Sequence, residues 1–266
     1  MLVAGFVYGM VAVSAAVASG YDQKTLEANP RLLPAYSSPT WIAAGAILNE
    51  AVVAIALYVA IRWLHASPAR VLPLRRPRPS SILAAVLVIF GVAPLADLAG
   101  DLCRRWLGSD VTATEIVAGA ARGAGPAELA FLIVAIGVAP ALVEEAMFRG
   151  FVTAAFARSE AAALLLPTLL FAAFHLEPTQ VAGTLVLGFG FAVARLCTDS
   201  LIPCMVAHAV YNSAVVFTLR YTDLGLPDHP IEPAPIAFGL GLSAFGMALL
   251  ARERRALRAT ERPSSL

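Results

Sequence analysis

Long apolar runs separated by short polar breaks dominate the chain. Runs of spanning length fall near 2–19, 40–64, 80–102, 127–148, 161–176, 179–198, 200–220 and 234–251, close to the roughly 20 residues that an α-helix needs to cross a hydrocarbon core about 30 Å thick. The pattern predicts an all-α fold, a polytopic integral membrane helical bundle of about eight transmembrane helices. The fifth and sixth runs are the least regular, because 161–176 is short and Glu177-Pro178 breaks the pair. Residues 2–19 end near Ala16-Val17-Ala18 as a secretory signal does, but no Lys or Arg begins them, so a first membrane helix is expected there. Gly5 and Gly9 form a small-xxx-small pair suited to close helix packing.

Composition agrees with this picture. The 266 residues are 59% hydrophobic and 14% charged, against roughly 25% charged in a soluble domain, too little polar surface to cover a water-exposed globule. A net charge of +1 gives no reason to expect a nucleic-acid partner. The charge is instead distributed by side. An even number of spans puts both termini together, and that side then carries Arg62, Arg70, Arg75, Arg76, Arg78, Arg149, Arg158, Arg195, Arg252, Arg254, Arg255, Arg258 and Arg262, which are 13 of the 19 Lys and Arg. The positive-inside rule makes it cytoplasmic, so a multi-pass cell-membrane protein with both termini in the cytoplasm is expected.

The Arg- and Pro-rich loop 65–79 is too short for a domain, so 1–266 is read as a single integral membrane domain. Trp41 and Trp106 stand near predicted helix ends, as interfacial aromatics do. Cys103, Cys197 and Cys204 have no disulfide or metal spacing and are read as packing residues. The His229 loop, 221–233, is read as a solvated connector, and the C-terminal arginines as contacts for anionic headgroups.

Candidate chemistry lies in ionisable residues inside the apolar runs, each of which opposes membrane insertion by roughly 2.5–3.5 kcal/mol at a helix centre and is therefore a functional candidate. The first block is Glu144-Glu145 with Arg149. Adjacent helical residues lie about 100° apart and residues four apart share a face, so Glu145 pairs with Arg149 while Glu144 points elsewhere. Glu145 and Arg149 are thus assigned structural support and Glu144 the chemistry. A charge cluster at a helix end would also account for this block taken alone. The second block puts Phe171, as support, and His175 on one face, and the third does the same for His208 and Asn212. Tyr211, Phe148 and Phe174 either line a pocket or simply pack.

Depth gives a check. Glu144 falls about 8 Å and His208 about 10 Å inside the cytoplasmic boundary, and His175 reaches about 12 Å if its helix enters the membrane near Pro167. A carboxylate and a neutral imidazole at one level can hold a water, remove its proton during attack on a carbonyl, and return a proton to the leaving amine. A second imidazole with a neighbouring amide, His208 and Asn212, can donate to the resulting oxyanion. This is peptide hydrolysis near the cytoplasmic membrane face without a cofactor. The alternative is zinc held by Glu144, His175 and His208, with water as fourth ligand.

The three blocks, EExxxR, FxxxH and HxxxN, resemble those of the CPBP intramembrane protease family, which includes type II CAAX prenyl endopeptidases and bacteriocin-processing or immunity proteins. The resemblance covers about 120–220, the region similar to the protease core. It implies the same roles for Glu144, His175, His208 and Asn212, a glutamate-type mechanism, membrane lipid as surroundings, and a membrane-anchored or prenylated peptide substrate open to CAAX processing. A non-catalytic peptide-binding or immunity protein and a proton-coupled transporter are the other readings, the latter without any visible repeat of half the chain.

Overall fold

The computed structural model describes residues 13–22, 24–25, 29, 38–107, 113–223, 226 and 232–261. Within them α1 spans Pro39–Trp63, α2 Pro68–Val71, α3 Pro79–Leu107, α4 Ala113–Gly123, α5 Pro126–Phe156, α6 Glu160–Phe174, α7 Pro178–Thr198, α8 Ile202–Tyr221 and α9 Pro233–Glu261, and no strand occurs among the described residues. A helix satisfies its backbone polar groups internally, which a lipid environment demands. Several helices begin on proline, whose missing N–H is not needed in a first turn.

The fold is the expected all-α membrane bundle. Six helices, α1, α3, α5, α7, α8 and α9, are long and apolar enough to cross a membrane. The predicted fifth span is α6, with 15 residues too short to be counted with them. Of the predicted first span only 13–18 is described as helix; the remainder, with Gly5 and Gly9, lies outside the described residues, as does His229. Exposed Ile55, Leu83, Leu165, Leu169, Phe238 and Phe245 give the bundle an apolar exterior.

The central helix is α3, which packs on α7, α8 and α9. At its crossing with α9, a Cβ on Gly91 would collide with the backbones of Gly239 and Ser243, so glycine is what lets the two helices meet. Trp106, 84% exposed, and Trp63, 79% exposed, stand at the ends of α3 and α1.

Ion pairs define two ends of the bundle. At one, Arg78 binds Glu253, Arg75 and Arg195 bind Asp199, and Arg254 and Arg258 bind Glu160, tying together the ends of α3, α6, α7 and α9. This is the arginine-rich face. At the other, Asp101 takes Arg104 and Arg105, and Arg122 reaches Asp223 and the Leu219 carbonyl at the end of α8.

One arginine departs from the expected sorting. Arg149 is not in a loop but 0% exposed within α5, because that helix continues past the predicted end at 148 to Phe156. Its 31 residues span about 46 Å. Two π-helical stretches, Ile133–Val138 and Ala146–Val152, flank the α-helical turns Ala139–Glu145 that carry both glutamates. Such widenings are frequent at functional sites. Here Pro140 has no N–H to offer the Ile136 carbonyl one turn earlier, leaving that carbonyl for another donor.

Candidate active site

The adjacent glutamates of α5 have different surroundings. Glu145, 0% exposed, accepts from Arg149 Nη1 at 3.0 Å, one turn on, as its spacing predicts. Arg149 also donates to the Gly188 carbonyl of α7 at 2.9 Å and lies 4.3 Å from the Phe171 ring centroid and 5.3 Å from that of Phe191. Charge pairing, a carbonyl and two aromatic faces together offset the loss of water around this guanidinium. A Cβ on Gly188 would fall 3.0 Å from the Phe171 ring and 3.2 Å from Arg149, so the pocket for the arginine requires a glycine.

Glu144 instead reaches a cavity of about 550 Å³ that is also lined by His175, His208 and Asn212. All four candidate catalytic side chains therefore border one space. Their hydrogen bonds define which atoms are free. His175, following the last residue of α6, holds the Phe171 carbonyl with Nδ1 at 2.9 Å. A carbonyl only accepts, so Nδ1 carries the proton and Nε2 of the neutral ring presents a lone pair. His208 holds Glu145 Oε1 with Nδ1 at 2.9 Å and has Nε2 3.9 Å from Glu144 Oε2. One carboxylate oxygen of Glu145 thus serves both Arg149 and His208. Asn212 donates through Nδ2 to the Ile136 carbonyl at 3.2 Å, the group that Pro140 leaves without its helical partner. Its other amide hydrogen is not engaged by that bond.

Glu145, Arg149 and Phe171, the residues assigned structural support, are all buried. Phe171 packs beneath His175 at 5.0 Å between centroids and edge-on to His208 at 6.0 Å. Glu145 does more than pair with Arg149, since it also orients His208 across 63 residues of sequence. The chain turns sharply after His175. Leu176 adopts a left-handed φ of 63°, and the Glu177 carboxylate caps α7 by accepting from the Thr179 and Gln180 amides at 3.0 Å each. The Glu177-Pro178 break is thus a helix start. The expected membrane entrance near Pro167 does not coincide with a helix start, because α6 begins at Glu160 with Ser159 as its cap. His175 reaches the cavity nonetheless, since α6 is short and ends there.

Several residues of the site were not found from the sequence. Phe191 stacks on His208 with centroids 4.7 Å apart and planes 25° apart. Asp97 of α3 is exposed and lines the cavity. Glu50 of α1 is 5% exposed, with Oε1 held by Asn49 and Oε2 unpartnered among the described residues. Both carboxylates interrupt apolar runs, which was the available signal; Phe191 is one of 13 phenylalanines and carried none. Tyr211 lines the cavity, whereas Phe148 and Phe174 pack against each other in an apolar cluster.

Among the described residues no group of three or more His, Cys, Asp or Glu side chains is arranged to hold a metal ion.

Residues 126–214, about a third of the chain, match the family described as type II CAAX prenyl endopeptidase Rce1-like. The match supports the CPBP intramembrane protease family and includes all three sequence blocks. Comparison with curated proteins and with solved structures found no match.

Proposed function

We propose that this chain is an intramembrane endopeptidase in which Glu144 and His175 activate a water molecule while His208 and Asn212 stabilise the oxyanion. The observation that carries the reading is the convergence of those four side chains, from α5, α6 and α8, on one cavity inside a membrane bundle. The family match adds that CAAX-type processing of a membrane-anchored or prenylated peptide is the activity to test first.

Water held between Glu144 and the lone pair of His175 Nε2 loses a proton to this pair as its oxygen bonds to the peptide carbonyl carbon. The carbonyl oxygen becomes an oxyanion, met by the second amide hydrogen of Asn212 and by Nε2–H of His208. Because Nδ1 of His208 is held by Glu145, Nε2 donates only when the ring is an imidazolium, and the Glu145 carboxylate stabilises that charge from the other side of the ring. Collapse of the tetrahedral intermediate breaks the C–N bond. The proton taken from water passes to the leaving amine, and the carboxylic acid formed gives up its own proton to that amine, so the products are a carboxylate and an ammonium. Arg149 holds Glu145 in place.

The test is cleavage by purified, reconstituted protein of prenylated and unmodified membrane-anchored peptides, with Glu144→Gln and His175→Ala alongside. Cleavage lost in both folded variants is expected. Cleavage that survives Glu144→Gln would remove the water-activating role, since an amide keeps the shape but cannot take the proton. Saturable peptide binding without turnover would favour a binding protein instead.

A further inference from the structure

The cavity has a direction. Along α7 its lining runs from Thr179 to Phe191, along α8 from His208 to Leu219, and along α3 from Phe90 to Arg104. In each case the lined part belongs to the end away from the arginine-rich face. No lining residue comes from 192–198 of α7, 202–207 of α8, 79–89 of α3 or 145–156 of α5 among the described residues. Glu144, His208 and Phe191 are therefore the floor of a shaft. From Phe191 to Thr179 it rises about 18 Å along α7.

Below that floor the described residues are close-packed. Glu145 and Arg149 are both 0% exposed. Beneath them the Pro- and Arg-rich segment between α1 and α3 folds inward. Its Val71 is 5% exposed and packs with Leu57, Ile61 and Ala146. The Val71 carbonyl and Leu72 lie against Gly150, where a Cβ would fall within 2.8 Å and 3.0 Å of them. The segment is pinned by the Leu201 N–H donating to the Pro73 carbonyl at 2.9 Å, by the Ser200 hydroxyl donating to the Arg75 carbonyl at 2.6 Å, and by the Arg75–Asp199 ion pair. A peptide approaching from the arginine-rich side would have to unseat this segment and break the buried Glu145–Arg149 pair. At the other end the shaft is bordered by polar side chains, among them Asp101, Arg104, Thr114, Gln180 and Thr218, which suit a hydrated peptide better than a lipid chain.

We infer that substrate reaches Glu144 from the face opposite the arginine-rich one, so that with the arginines cytoplasmic the protein acts on a membrane-anchored peptide presented on the non-cytoplasmic side. This rests on the protease reading for the word substrate, but the direction of access is independent of it. The catalytic level stays nearer the arginine-rich face, as the sequence depth check expects, whereas the way in does not. A prenylated tail displayed in the cytoplasm would meet the sealed end.

Cysteine accessibility in intact cells tests the direction without requiring turnover. In a Cys103→Ser background, with buried Cys197 and Cys204 retained, Thr184→Cys reports the shaft, Gln180→Cys its mouth one turn above, and Arg255→Cys the arginine-rich end. A membrane-impermeant maleimide is expected to label Thr184→Cys and Gln180→Cys equally before and after permeabilisation, and Arg255→Cys only after it. Labelling of folded Thr184→Cys and Gln180→Cys only after permeabilisation, or from neither side, overturns the inference. Repeating the labelling with Glu144→Gln present keeps the result readable if no peptide is ever cleaved. Absence of cleavage by the folded parent, or cleavage that survives Glu144→Gln, with external labelling intact would count against the protease reading alone.

Discussion

Glu144 and Glu145 are neighbours in sequence but belong to two different regions. Glu144 faces the shaft, where His208 Nε2 stands 3.9 Å from its Oε2. Glu145 lies in the packed floor, held by Arg149 at 3.0 Å and His208 at 2.9 Å. A helix rotates about 100° per residue, so one step along α5 moves a carboxylate from the cavity lining into a close-packed network. Substitutions in the two regions should therefore separate activity from stability.

The largest expected effect is on rate. Glu144→Gln should lower kcat by about 10²–10⁴-fold, the usual contribution of a positioned acid–base group, while the unfolding midpoint in detergent stays near that of the parent. A large fall in that midpoint would show that Glu144 belongs to the structural region after all. Next, Arg149→Ala should remove about 3–5 kcal/mol of stability by leaving Glu145 buried without its cation, read as a lower thermal midpoint and poor recovery. An Arg149→Ala protein as stable as the parent would dissolve the distinction between the regions. Gly188→Ala should follow at about 1–3 kcal/mol, the range for overpacking, since its new methyl meets Phe171 and Arg149. Phe191→Leu sits on the boundary and sharpens the comparison: losing its stack on His208 should weaken the site by about 0.5–1.5 kcal/mol, visible as a several-fold loss of kcat/KM together with a lower midpoint, because the buried ring also packs on Arg149. Smallest of all, Arg78→Ala removes a pair whose arginine side chain is 63% exposed, and the change in stability should stay within about 1 kcal/mol.

The legibility of these features follows from the range of the interactions. The Glu145–Arg149 pair was readable because residues one turn apart on a helix must be neighbours. The separation of Glu144 from that pair was readable for the same reason, as was the common face of His208 and Asn212, both of which reach α5. The His208–Glu145 bond was not, because nothing local relates residues 63 apart. Asp97 and Glu50 could have been flagged as carboxylates in apolar runs, but which of them faces the cavity depends on how α1 and α3 pack. Pro167 alone could not show where its helix begins, since a proline is tolerated inside α6 as well as in a first turn. Arg149 was counted with the loops because a hydropathy run ends where charge begins, whereas α5 continues through its charges by burying them.

What the sequence by itself determined is what repeats at short range: a membrane-embedded helical chain, the side on which arginine accumulates, and three polar blocks each confined to one helical face. These follow from transfer of side chains into hydrocarbon and from 3.6 residues per turn, neither of which needs a partner helix. Only the tertiary structure decided that the blocks share one cavity, that Glu145 rather than solvent fixes the proton on His208, and that the shaft is closed on the arginine-rich side by the segment beneath α5. Those outcomes depend on which helices meet and on the glycines that let them approach, a property of packed surfaces that no single stretch of the chain contains.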